Sequence, residues 1–373
     1  MKSSKTPPLA PAQIHSLRLH RHHLLDREPA GAVTLCRDVC GVQAQLTQAA
    51  YLQLWARNHS LSRTQIEECL WKQRSLVKTS LMRQTLHVIP AEEFSIYIPA
   101  LKRSRVNAAF SVMKRCKISR EEADELTAHI LESLAAGPLN RTAIRAAVRP
   151  KVSKRVRSWM DKVWSILRFP VAEGLVCYGP GEGNQVTFIR SDQWLPRQKM
   201  LNEQSAKSEL LRRYLRAYGP ATWKDFAHWS GLPMVEVREL PPLVENELED
   251  LGGLMLLRED VKALEDIPAD AGSVHLLPHF DVYLLAHATK EHFLNPAQYK
   301  RVYRNQGWIS PVLLIGGEIA GVWRYDFAGK KVLVTIEAFR PLSKRLRQQV
   351  GEKAEALAKF FGRTLEFRTS PLG

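Results

Sequence analysis

A repeated order of elements constrains this chain more than any other feature. Helical stretches begin near Gln13 and near Ala32; the latter breaks at Gly41 and resumes through AAYLQLWARN. A further helix fits Arg63–Lys72 behind Ser62 as N-cap, and the run SLVKTSLMRQTLHVIP then turns strand-like and stops at Pro90. Three helices followed by paired strands is the pattern of a winged helix. It returns at Ala136-Gly137-Pro138-Leu139-Asn140-Arg141, with a second helix over Val152–Leu167. The strands GLVCYG and QVTFIR follow, around the turn Pro180-Gly181-Glu182-Gly183-Asn184. A third copy opens at Tyr218-Gly219-Pro220-Ala221-Thr222, with helices over Thr222–Ser230 and Met234–Leu240, a stop at Pro241-Pro242 and a strand at Leu254–Arg258. The remainder reads as strands at Val274–Leu285, Pro311–Ile315, Ile319–Tyr325 and Lys331–Glu337, an amphipathic helix at Lys344–Phe361 and a closing strand at Thr364–Arg368. The expected fold is α+β: a disordered arm (1–12), three winged-helix modules (13–100, 101–200, 201–268) and a C-terminal β-rich, barrel-like domain (269–373).

Charge narrows the partners. The net charge is +16, and two stretches hold nearly all of the excess. Residues 101–120 carry seven Lys/Arg and no acid, and residues 141–168 carry nine against Asp161 alone. So uneven a distribution points to a polyanion, with double-stranded DNA the leading candidate. Aromatic residues are sparse in both stretches, unlike a groove that threads single strands on rings. The longest apolar runs are far shorter than the ~20 residues of a spanning helix, so no membrane association is expected. The polar, Pro-rich start MKSSKTPPLAP lacks the apolar core of a signal peptide. Five cysteines without a CxxC read as reduced thiols, which places the protein in the cytoplasm. His275–His279 and His287–His292 are the closest metal-like spacings. Pro278 interrupts the first, and no cysteine or carboxylate cluster completes a set, so neither metal nor cofactor is expected.

Four motifs carry a resemblance. GVQAQLTQAAYLQLWAR (Gly41–Arg57), TSLMRQTLHVIPAEEF (Thr79–Phe94), LLPHFDVYLLAH (Leu276–His287) and ISPVLLIGGEIAGVWR (Ile309–Arg324) stand in an order that resembles the AlkZ-like family of winged-helix DNA glycosylases, over about residues 13 to 368. Each motif alone is weak; their order is specific. The chain follows the family's Gln-x-Gln branch, similar to enzymes that unhook bulky or cross-linked alkylated bases. It departs from the pattern at His279 and Ala286-His287-Ala288-Thr289, where an acidic–basic pair is absent.

The resemblance makes Gln43 and Gln45 the catalytic pair. Breaking a base–deoxyribose bond passes through an oxocarbenium-like state, for which most such enzymes recruit a carboxylate. An N7-alkylated purine is already cationic and leaves without protonation, so positioning a water is the main remaining task. An amide offers an acceptor and a donor for that purpose. Two glutamines at i and i+2 diverge by ~200° on a helix but share a face on extended backbone, and Gly41 makes a local break plausible. Without the flanking motifs, Gln43, Gln45 and Gln48 would read as an exposed helix face. Lys102, Arg103, Arg105, Lys151, Lys154, Arg155 and Arg157 are expected on DNA, and Arg83 at a phosphate or anchoring a wing. His87, Asp281 and the Gly316-Gly317 hairpin, read as an exposed probe of a groove, are accessory candidates. The expected activity is monofunctional excision of N7-alkylpurines by a monomer. The open alternative is a non-catalytic winged-helix DNA-binding protein, either a transcription regulator or a lesion shield.

Overall fold

The structure, a computed structural model, describes residues 10–25, 30–183, 185–270 and 272–370. Most of the expected arm, and Asn184 of the predicted turn, lie outside them. The arm's last residues, Pro11 and Ala12, instead begin helix α1 (Pro11–Arg21), because proline's fixed φ and missing N–H suit a first turn.

A helix–strand–helix–helix–strand–strand unit follows: α2 (Ala32–Asp38), β1 (Val42–Gln43), α3 (Thr47–Arg57), α4 (Arg63–Glu67), β2 (Leu76–Ser80) and β3 (Leu86–Pro90). Its antiparallel sheet has the order β1-β3-β2. Ser62 and Gln65 form a capping box at α4. The 22-residue α5 (Phe94–Arg115) leads to a second unit. This comprises α6 (Arg120–Ser133), β4 (Leu139–Asn140), α7 (Arg141–Val148), α8 (Lys154–Met160), α9 (Arg168–Ala172), β5 (Val176–Glu182) and β6 (Gln185–Arg190), with the sheet order β4-β6-β5. The helix expected to reach Leu167 ends at Met160, since Arg145 donates to the Met160 and Val163 carbonyls and satisfies the groups another turn would use. After α10 (Ser191–Trp194) a third unit runs through α11 (Glu203–Tyr218), α12 (Trp223–Ser230), α13 (Met234–Val237), α14 (Pro241–Val244), β7 (Leu248–Asp250) and β8 (Met255–Leu257). An isolated bridge between Ala221 and Met255 takes the place of its first strand.

The C-terminal part contains α15 (Val261–Asp266), β9 (Val274–Leu277), α16 (Tyr299–Val302), β10 (Val312–Ile315), β11 (Glu318–Ala328), β12 (Lys331–Ala338), α17 (Lys344–Phe360) and β13 (Thr364–Ser370). The expected barrel is not formed. The sheet is open, β13-β12-β11-β10-β9, and β13 joins parallel to β12 by way of α17. A parallel return needs a crossover helix, and that helix covers the sheet in place of closure: Val350, Ala354, Leu357 and Ala358 of α17 share the core of Val312, Val332 and Val334. The strand expected to reach Leu285 stops at Leu277, before Pro278, which has no N–H for a ladder.

The exposed role expected of Gly316-Gly317 is also corrected. Both residues have the positive φ of a tight hairpin, but the turn is packed, not free. A Cβ on Gly317 would lie 2.7 Å from the His15 Cβ on α1, and the Tyr283 hydroxyl donates to the Gly317 carbonyl.

Packing explains what is rigid. The first and third units share one core, with Tyr51, Tyr97, Tyr214, Tyr218 and Trp229 among its large members, whereas the second unit has its own. The expected boundary at 100/101 falls inside α5, whose first half packs in the shared core and whose second half packs in the other. α3 is buried on two sides, through Tyr51 and Leu54 toward the shared core and through Leu52 and Trp55 toward the C-terminal sheet. At about 1.5–3 kcal/mol for each large buried side chain, α3 is held firmly, and with it the segment that precedes it. Among the described residues no helix is long and apolar enough to cross a membrane.

Candidate active site

Gln43 ends the short strand β1, and Gln45 follows it in the bend that leads to α3. After α2, Cys40 and Gly41 both take positive φ, and the chain swings into β1. Only glycine fits at 41: a Cβ there would lie 2.6 Å from the Ile89 side chain and 3.0 Å from the Val88 carbonyl. Both glutamines reach the short β2–β3 loop. The Gln43 Oε1 accepts from Arg83 Nη2 at 3.1 Å, and the Gln45 Oε1 accepts from the Leu86 N–H at a long 3.4 Å. Gln43 is buried, at 5 % exposure, while Gln45 is open and lines a cleft of about 420 Å³.

The Gln43 main chain is anchored from below. Its carbonyl accepts from Gln53 Nε2 at 2.8 Å. The Gln53 carbonyl in turn accepts from Arg57 Nη1, and Arg57 makes a two-pronged pair with Asp281, each prong 2.9 Å long, with both residues 0 % exposed. His22 Nδ1 accepts from the same guanidinium. Asp281 also accepts from the Tyr283 N–H, so its carboxylate is fully engaged in joining α3 to the C-terminal sheet. Sequence reading missed Gln53 and Arg57. A signal was present in two polar residues at i, i+4 inside an otherwise apolar helix.

His87 lies directly across from Gln43 in register and next to Thr79, so the three form one row across the sheet. Burial, then the nearby Arg83, pushes the His87 imidazole down to about 3; it is neutral at working pH. Its Nδ1 faces the Thr85 carbonyl, and Nε2 is buried without a partner. Arg83, expected at a phosphate or anchoring a wing, turns inward, in the manner of an anchor: it holds Gln43 and donates to the Trp229 carbonyl of the third unit. Gly231 leaves the space, since a Cβ there would lie 2.9 Å from the Arg83 nitrogen.

The basic residues divide into two groups. Arg105 is buried, donates to the Val171 carbonyl and lines the cleft, so it is not a surface ligand. Lys102 pairs with Glu173, Arg103 with Glu203 and Glu236, Lys151 with Glu132, and Arg155 with Glu122. Lys154 and Arg157 are exposed on α8. Much of this local charge is thus offset by acids of α6, α11 and α13 and by Glu173 at the end of α9, which a reading of the basic runs alone leaves out.

Three buried histidines and the half-buried His292 make stability depend on pH. Burial holds His22 and His287 well below the ordinary imidazole range and brings His87 and His292 to about 3. In the unfolded chain they take up protons near pH 6.5, which the folded protein refuses. Their stabilising contribution is therefore complete above about pH 6.5 and is lost as pH falls toward 3, at roughly 1.4 kcal/mol per pH unit for each histidine. Glu93, pushed up to about 7 by burial, and Asp260, raised by burial, act in the opposite sense, but burial also lowers His15, His228 and His279, which add to the histidine side. The melting temperature is expected to fall steadily from pH 7 to pH 5; a flat profile in calorimetry would contradict this burial.

The comparisons agree with the motif reading. A family model described as "DNA glycosylase AlkZ-like" matches residues 36–360. A curated relative from Streptomyces sahachiroi, named interstrand DNA cross-link repair glycosylase, is 28 % identical over 338 residues, covering 87 % of this chain and 89 % of its own length. The solved structure of Streptomyces sahachiroi DNA glycosylase AlkZ superposes with a TM-score of 0.85 at 27 % identity, over 98 % of this chain and all of that one. With the family model spanning most of its length, this chain belongs to the AlkZ-like family of DNA glycosylases.

Proposed function

We propose that this glycosylase releases N7-alkylated purines, bulky and cross-linked adducts included, from double-stranded DNA, and that Gln43 and Gln45 position the attacking water. It acts as a monomer, without metal or cofactor. The observation that carries this reading is that both amides reach the β2–β3 hairpin, one buried and braced, the other open to a cleft. A carbonyl oxygen has two lone pairs. Arg83 occupies one on Gln43 and the Leu86 N–H weakly occupies one on Gln45, so each oxygen retains one to accept a water proton. The water's own lone pair is then free to form the C1′–O bond as the C1′–N9 bond breaks; that bond's electron pair neutralises the cationic base, and the water's proton is released to solvent, not to the amides. The cation already on the base supplies the driving force, so neutral amides suffice. His87 supports the row beneath Gln43. The Streptomyces sahachiroi relative is named for interstrand cross-link repair, which supports cross-linked duplexes as substrates in this reading.

The three repeated units are winged helices in this reading, and the exposed cations of the second unit hold the phosphates. Phosphate contacts give affinity without sequence. Replacing Lys154 and Arg157 by alanine is expected to flatten the slope of log K against log salt by about 0.9 per lost contact, equally on damaged and undamaged duplex. Filter binding across a salt series measures it. The function itself is tested by incubating the protein with duplex containing N7-methylguanine or an N7 cross-link: free base and an abasic site are expected. Tight binding without release would instead identify a regulator or a lesion shield.

A further inference from the structure

We infer that the cleft beside Gln45 receives the planar, apolar part of a bulky N7 substituent, with Trp164 as its stacking platform; this rests on the glycosylase reading of Gln43 and Gln45. The cleft lies between two units. Gln45, Ser80 and Gln84 of the first face Met113, Phe169 and Trp164 from α5 and the second. Its volume, about 420 Å³, is that of a small-molecule site. Arg168 donates to the Gln84 side chain at 3.1 Å and ties the two walls together.

Trp164 is 77 % exposed, an unusual position for the largest side chain. It is nevertheless held. The Arg141 guanidinium lies over its ring at 3.6 Å, and Arg145 donates to the neighbouring Val163 carbonyl. A ring fixed by a cation on one face and open to solvent on the other is prepared for a second flat partner at little ordering cost. An extruded purine would need matching donors and acceptors along its edge, whereas the α5 and second-unit wall offers mainly apolar atoms. The N7 atom of guanine lies on the major-groove edge, so a group attached there projects out of the duplex and can enter a cleft without full extrusion of the base. Arg168 at this wall, and Arg141 behind the Trp164 ring, complement the phosphates that flank such a group.

The test uses the full chain and two duplexes, one with N7-methylguanine and one with N7-(anthracenylmethyl)guanine. Dissociation constants are measured by anisotropy, and base release is measured in parallel. The wild type is expected to bind the anthracenyl duplex about tenfold or more tighter than the methyl duplex, the size of one stacking contact. Trp164→Ala and the cleft-filling Val112→Trp should each collapse that preference toward one, with melting curves confirming that both variants fold. Equal affinity of the wild type for the two duplexes, or a preference that survives both substitutions, would overturn the proposal. Failure of the glycosylase reading shows separately, as absence of base release from either duplex.

Discussion

Asp281→Ala is expected to destabilise the protein by about 3–5 kcal/mol, because it leaves the Arg57 guanidinium buried without a counter-charge. Both residues are completely buried, and their two hydrogen bonds are well formed. Against a total stability of roughly 5–15 kcal/mol, that loss takes much of the margin, and urea unfolding should show it directly. The double variant Arg57→Met with Asp281→Leu should recover most of the stability, since removing both charges removes the desolvation cost as well. The same pair separates a purely structural Asp281 from one that also positions Gln43. If the carboxylate only braces α3, the double variant regains base release together with its fold. A well-folded double variant that releases no base would show that the Arg57–Asp281 pair does more than hold the fold, through its brace on Gln53 and Gln43.

Gln43→Ala carries the other large effect. Its side chain is braced by Arg83 and its main chain by Gln53, so in this account its amide is held in position before substrate arrives. Removing one pre-positioned polar group from a reaction centre costs roughly 10²–10³ in rate, and single-turnover release of N7-methylguanine should fall by that amount. DNA affinity should change little, because Gln43 is buried beneath the loop and not among the exposed cations. Gln45→Ala should cost less, since Gln45 is open and its contact with Leu86 is long.

The residues that were legible from the chain were those with local signatures. Ser62 before Gln65, the Gly316-Gly317 turn and the motif order each announce their element or family. What surrounds an element was harder to read. Gly316-Gly317 showed that its turn needs positive φ, but nothing local says that His15 and Tyr283 pack on it. Arg83 and Arg105 look like any surface cation, and only the fold shows them turned inward. The open sheet was read as a barrel because strand count does not reveal that α17 crosses over and covers one face. At the glutamine pair the decisive local feature was Gly41: its steric necessity turns a helix-like stretch into the strand that ends at Gln43 and the bend that holds Gln45.

The most direct measurement is single-turnover release of free base from duplex N7-methylguanine by the wild type and by the Gln43→Ala/Gln45→Ala double variant, with DNA binding recorded on the same samples. The account predicts rapid release by the wild type, and a double variant that binds the duplex as tightly but releases base no faster than spontaneous loss. Release by the double variant at the wild-type rate would show that the two glutamines do not position the water.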